Sequence, residues 1–287
     1  MELPVIVGVD GSETALEAVD WAADESARQG LPLQVIFASL WEHYEGMSPS
    51  FGDHRPSERV LAENILGAAV ARAEARQPEL KVSGTVAVEG AVTALVEAGR
   101  RASSVVVGHR GRGELAGLLL GSVGLGVAAR VRCPVIVVRG AEQNRLGANR
   151  RILLGLSGDA TAQAALEFAF RTAERRGARL EALHAWRCPA HEEAASVDAA
   201  HEHRRRAEEV IAEALRETSG LYPGVTVDRV PVEGSARAAL LGAAATADLL
   251  VVGAQRRQPG AIGLHLGLVN HALLHHAACP VAVVPQP

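Results

Sequence analysis

Aromatic residues are scarce in this 287-residue chain: 3% of positions, with three tryptophans, two tyrosines and four phenylalanines. A protein that stacked successive nucleobases would need more of them. A formal net charge of −4, with both signs interspersed, provides no cationic stripe for a phosphate backbone, so nucleic acid is not an expected partner. Three cysteines, Cys133, Cys188 and Cys279, form an odd set without short spacing. That argues against a disulfide framework or a cysteine zinc site and for small buried side chains. No apolar run approaches the roughly 18 residues that cross a bilayer, so no membrane association is expected. No basic region precedes the apolar stretch of MELPVIVGVDG, so no signal peptide is visible and the cytoplasm is the default compartment. Chemical signatures are missing too. The chain has no GxxxxGK[ST] of a P-loop and no GxSxG elbow, and between His271 and His275 it carries Ala272 where HExxH has its glutamate. No catalytic residue and no metal ligand is assigned.

What the chain does have is apolar bulk and repetition. Hydrophobic residues make up 48% of it, enough for one large core or two ordinary ones, and comparing the halves favours two. VIVGVDGSETALEAV, from Val5, returns as ILLGLSGDATAQAAL from Ile152; SSVVVGHRG, from Ser103, as DLLVVGAQR from Asp248; CPVIVV, from Cys133, as CPVAVV from Cys279. The offsets are 147, 145 and 146 residues, the size of a whole domain, so the chain reads as a tandem duplication with domains at 1–140 and 150–287. The polar segment AEQNRLGAN, Ala141 to Asn149, is the expected joint.

In the first half the expected strands are Pro4–Val9, Leu33–Ala38, Lys81–Val88, Ser104–Val107 and Val135–Val138. The expected helices are Glu13–Gln29, Ser57–Arg76, Ala91–Arg101 and Gly121–Val131. Ser12 can cap the first helix and Gly30 can end it. Short β-branched runs alternating with amphipathic stretches predict an α/β fold of two tandem doubly wound domains. Each would be an open, mainly parallel five-stranded sheet with helices on both faces.

Ligands of such sheets bind beyond the carboxyl ends of the strands, where strand order reverses. The first strand ends in GVDGS and the fourth in GHRG, so neighbouring first and fourth strands would bring Asp10, Gly108 and Gly111 to one crevice, with the helix opening at Gly121 and Ser122 on one side. Glycines allow backbone amides to approach a phosphate, and a helix start offers unpaired N–H groups. Asp10, repelled by phosphate, suits a ribose hydroxyl or a bound Mg²⁺. Gly111 with Arg112 to Leu120 would form a flap.

The spacing G-x2-G-x9-G-[ST], met by Gly108, Gly111, Gly121 and Ser122, with VGVDGS opening and CPVIVV closing a domain of this size, resembles the universal stress protein family over nearly the whole chain, as two copies. The resemblance implies ATP, with Mg²⁺, as ligand of the first domain, with Asp10 on the nucleoside and the backbone near Ala38 facing adenine. The implied site is Asp10, Ala38, Gly108, Gly111, Gly121 and Ser122. It also implies a nucleotide-dependent role in stress response, pairing of the two domains through Val135–Val138 and Val281–Val284, and room for a further homodimer. Slow ATP hydrolysis or nucleotidyl transfer, with Arg110 or Arg112 at the phosphates, is the enzyme alternative; a nucleotide-free scaffold is another.

Two departures bear on the site. Many nucleotide-binding members carry a second hydroxyl two residues after the serine, where this chain has Gly124. In the second copy Ser157 replaces Asp10, Arg256 replaces the second glycine, Leu268 replaces Ser122, and one residue is inserted before Gly267. That site is expected to bind ATP weakly or not at all. The histidines His191, His201, His203, His271, His275 and His276 read as surface or interface residues, Trp41 and Trp186 as packing, and the Arg-rich stretch at His203–Arg206 as a solvated helix face.

Overall fold

The computed structural model describes residues 3–39, 58–111, 120–158, 163–187, 197–256 and 264–286. The chain divides into two units, 1–138 and 139–287. In the first, β1 (Val5–Val9), β2 (Leu33–Ala38), β3 (Val82–Ala87), β4 (Ser104–Gly108) and β5 (Val135–Val138) alternate with α1 (Glu13–Gln29), α2 (Glu58–Arg76), α3 (Ala91–Ala98) and α4 (Ser122–Ala128). The order across the sheet is β3-β2-β1-β4-β5, every pairing parallel. Val5, Ile6 and Val7 point alternately to opposite faces and all are buried, so helices cover the middle of the sheet on both sides. Burying each such side chain contributes roughly 1.5–3 kcal/mol. The edge strand β3 is largely exposed.

Local chemistry sets the elements. The Ser12 side chain accepts a hydrogen bond from the Ala15 amide and caps α1, and Gly30 ends it at φ 66° in the left-handed region. α3 tightens into a 3₁₀ turn, Gly99–Arg101, rather than running on to Arg101 as an α-helix. Gly99 packs where a Cβ would overlap Val131. α1 and α2 are joined by paired ions, Arg72 with Asp20 and Arg76 with Asp24, each through two hydrogen bonds of 2.6–2.8 Å.

The second unit repeats the plan with α5 (Glu142–Arg145), β6 (Arg151–Leu156), α6 (Gln163–Arg176), β7 (Arg179–Trp186), α7 (Val197–Leu221), β8 (Val227–Glu233), α8 (Ala236–Ala243), β9 (Leu249–Arg256), β10 (Leu264–His265), α9 (Gly267–His276) and β11 (Val281–Pro285). Its parallel order, β8-β7-β6-β9-β11, matches the first, and β10 adds a two-residue antiparallel pairing to β9 that sequence pattern did not foretell.

The segment expected as a joint is tied into the second unit. Fully buried Asn144 donates through Nδ2 to the Ala278 (2.9 Å) and Ala245 (3.1 Å) carbonyls and accepts from Asn149 Nδ2. Asp248, also buried, accepts from the Asn149 and Arg151 amides at 3.0 Å each. Among the described residues no helix is long and apolar enough to cross a membrane.

Candidate functional site

In the first unit the chain goes from β1 to β2 on one side and later crosses to β4 on the other. β1 therefore pairs with β4, Val5 opposite Ser104, and the strand order reverses between them. Beyond β1 the backbone turns at Gly11, φ 80°. The Asp10 carboxylate is fixed in that turn, its Oδ1 accepting from the Ser12 amide at 3.0 Å and the Ser12 hydroxyl at 2.6 Å. Ser12 and Thr14 hydroxyls lie 3.3 Å apart, and Thr14 Oγ1 donates across the crevice to the Arg110 carbonyl at 2.7 Å. A polar chain thus ties the loop after β1 to the loop after β4.

The glycines do separate jobs. A Cβ on Gly8 would come within 2.8 Å of Leu95, so its absence lets α3 settle over β1. A Cβ on Gly108 would lie 2.6 Å from the Thr14 carbonyl, so β4 ends close against the start of α1. At Gly111 a Cβ would collide with Asp10 Oδ2, and its absence lets the carboxylate and the loop backbone meet. Gly121 donates its amide to the His109 carbonyl at 2.8 Å, while His109 donates to Val138 at 3.1 Å. The first bond brings the two ends of the loop together, and the second holds its start to the end of β5. Residues 112–119 of the expected flap lie outside the described residues. Gly121 is the N-cap of α4 and has no side chain to occupy the amides of the first turn.

These elements enclose a cavity of about 490 Å³ at the carboxyl ends of β1, β2 and β4. Asp10, Ala38, Gly108, Gly111, Gly121 and Ser122 all line it. Ile36, Val107, Ala91 and Leu95 give it apolar walls, and Asp10 and Arg110 are the charged groups among the described lining residues. The α3 residues escaped the sequence reading because nothing distinguishes them from ordinary core positions of an amphipathic helix. The volume falls within the roughly 300–1,000 Å³ of small-molecule sites, and a mainly apolar lining with a few polar groups is their usual make-up.

The second unit differs at the corresponding places. Counted from the glycines that open α4 and α9, Gly121 and Gly267, Gly124 is matched by Asn270, whose Nδ2 donates to the Gly253 carbonyl at 2.8 Å. Against Gly253 sits buried Gln286, its Nε2 3.2 Å from where a Cβ would be; its Oε1 accepts from the Ala164 amide at 3.3 Å.

Other polar clusters offer less. Cys133 and Cys279 are free and buried, and burial pushes both thiols up to about 12. The rings of His271 and His275 stack 4.4 Å apart. Trp186 stacks on His203. Among the described residues no group of three or more His, Cys, Asp or Glu is arranged to hold a metal. Arg204, Arg205 and Arg206 pair with glutamates on the exposed face of α7. Trp41, Cys188, His191, Glu192 and Glu193 lie outside the described residues.

A family model described as the universal stress protein family matches residues 2–139 and again 148–285. A universal stress protein of Mycobacterium tuberculosis is 32% identical over 300 residues, covering 98% of this chain and 97% of that protein. A second from the same species is 30% identical over 290 residues, covering 99% and 97%. The crystal structure of a universal stress protein from Archaeoglobus fulgidus superposes with a TM-score of 0.69 over 99% of this chain and 98% of its own, at 20% identity, a likeness of fold.

Proposed function

The chain belongs to the universal stress protein family, and from that premise we propose that its first unit binds ATP, as the Mg²⁺ complex, and that the bound nucleotide governs the protein's conformation or its partner contacts in a stress response. The observation that carries this reading is the cavity at the strand reversal, lined by Asp10, Ala38, Gly108, Gly111, Gly121 and Ser122 together. Its apolar walls, Ile36, Val107 and Leu95, suit a purine beside the end of β2. Asp10, already oriented by Ser12, has Oδ2 directed at the Gly111 backbone and suits a ribose hydroxyl. The uncapped first turn of α4 and the Ser122 hydroxyl suit phosphate oxygens. Asp10 is the one carboxylate among the described lining residues, so Mg²⁺ would arrive carried by the phosphates.

Arg110 in the lining favours a second reading, slow hydrolysis of the same nucleotide. The cytoplasm is the compartment that fits an ATP ligand. The second unit, with Asn270 and Gln286 set around Gly253, acts as a nucleotide-free partner; pairing of the two units and a homodimer belong to the same proposal.

The test is mass spectrometry of small molecules released from freshly purified protein, together with calorimetric titration with Mg·ATP. Intact ATP at a single nucleotide per chain is expected. Release of inorganic phosphate during incubation selects the hydrolytic reading, and the absence of both ligand and heat makes the protein a scaffold.

A further inference from the structure

We propose that Arg110 is the residue by which this cavity tells a nucleoside triphosphate from a monophosphate. This rests on the nucleotide reading above and deepens it. Arg110 is the one cationic side chain among the described residues of the lining, where Asp10 is the one anion and Ser122 supplies the one hydroxyl. Among the described residues a polyphosphate tail in such a hollow has Arg110 as its positive partner, and Arg110 must also offset the repulsion of Asp10.

Position agrees with charge. Asp10 is anchored just beyond β1 by both bonds from Ser12, the place that the reading above gives to the ribose. Arg110 lies two residues beyond β4, and its carbonyl is held by Thr14 Oγ1 at 2.7 Å. Its backbone is therefore fixed while its side chain stays exposed and available. At the other wall Gly124 has no hydroxyl to share the load. A guanidinium can hold phosphate oxygens through paired N–H donors, and it has most to gain from the β- and γ-phosphoryl groups, which AMP lacks.

The experiment is calorimetric titration of the full chain with ATP and with AMP, both with Mg²⁺, for wild type, R110Q and R110K. R110Q is expected to weaken ATP about 10- to 100-fold, the range of a lost charge-assisted hydrogen bond, and to leave AMP unchanged within about twofold. R110K recovers part of the ATP affinity, and the salt dependence of ATP binding flattens in R110Q. Equal weakening of both ligands by R110Q, no weakening of either, or a wild type that binds ATP and AMP alike overturns the proposal and leaves the nucleotide reading standing. A wild type that takes up neither nucleotide overturns both.

Discussion

Both units carry a glycine in their fourth strand at the reversal of strand order, Gly108 at the end of β4 and Gly253 within β9, and they use it in opposite ways. Around Gly108 the close neighbour is backbone, the Thr14 carbonyl, and a cavity of about 490 Å³ lies in front. Around Gly253 the neighbours are side chains, the Gln286 amide and the Asn270 amide donating to its carbonyl. Gln286 also accepts from the Ala164 amide in the first turn of α6 and donates to Val284. A duplicated backbone thus carries two solutions for the polar groups at its strand ends. In one they face a hollow that a ligand can fill; in the other the unit's own amide side chains satisfy them.

The largest effect expected from breaking this contrast is in the second unit, whose polar side chains hold it together. Asn144→Ala removes the two bonds from Nδ2 to the Ala245 and Ala278 carbonyls, of which Ala278 keeps the Ala141 amide as a donor. The loss should be about 2–3 kcal/mol for that unit, read by native-state hydrogen exchange on β9 and β11, with β1 and β4 unaffected. A loss below about 1 kcal/mol would mean that water replaces those bonds.

Next in size is a transplant. Gly124→Asn puts the second unit's amide into the first. A Cβ there would meet the Leu120 side chain at 3.2 Å, which must give by a few tenths of an ångström, and would lie 3.9 Å from the Gly108 carbonyl, within reach of an asparagine amide as Gly253 is of Asn270. ATP affinity should fall about tenfold or more, the scale of overfilling a packed space, while the melting temperature holds. Unchanged affinity would show that the ligand does not occupy that wall.

The alternation of strands and helices was legible because each strand is a short apolar run, and α1 carries its own stops, Ser12 and Gly30. The gathering of Asp10, Gly108, Gly111, Gly121 and Ser122 followed from where those strands end. The division of labour among the glycines did not, because a glycine says only that a Cβ is absent. Whether backbone, carboxylate or ligand uses the room is decided by residues far off in sequence, Thr14 for Gly108 and Gln286 for Gly253. Asn144 was hidden for a related reason. A polar residue in a polar stretch reads as surface, and its burial depends on carbonyls 101 and 134 residues away.

A smaller effect separates the two amides around Gly253. Asn270→Ala removes one part-buried hydrogen bond and should cost about 1 kcal/mol in urea unfolding of the second unit, without creating a second nucleotide site, since Gln286 still stands against Gly253. A second equivalent of bound ATP would make Asn270 alone the block.

The smallest effect is a difference in how acid acts on the two units. In the second, burial lowers His275 below the ordinary histidine value of 6.5, and the charges of His271, His276 and Arg139 lower it further. The folded unit therefore favours the neutral ring. Its contribution is present above about pH 6.5 and is lost as pH falls from there toward the folded value, because the unfolded chain takes up the proton first. In the first unit, burial works to raise Asp24, but the hydrogen bonds from Arg76 and Gln77 and the charges of Arg76 and Arg28 outweigh it, leaving the carboxyl below its ordinary 3.8. That contribution is complete above about pH 4 and disappears only as pH falls through the folded value. Hydrogen exchange followed from about pH 7 to 5 should show protection declining in β9, α9 and β11 and holding in β1 and α1. His275→Leu should flatten the decline. A parallel decline in both units would assign the acid sensitivity to groups other than His275.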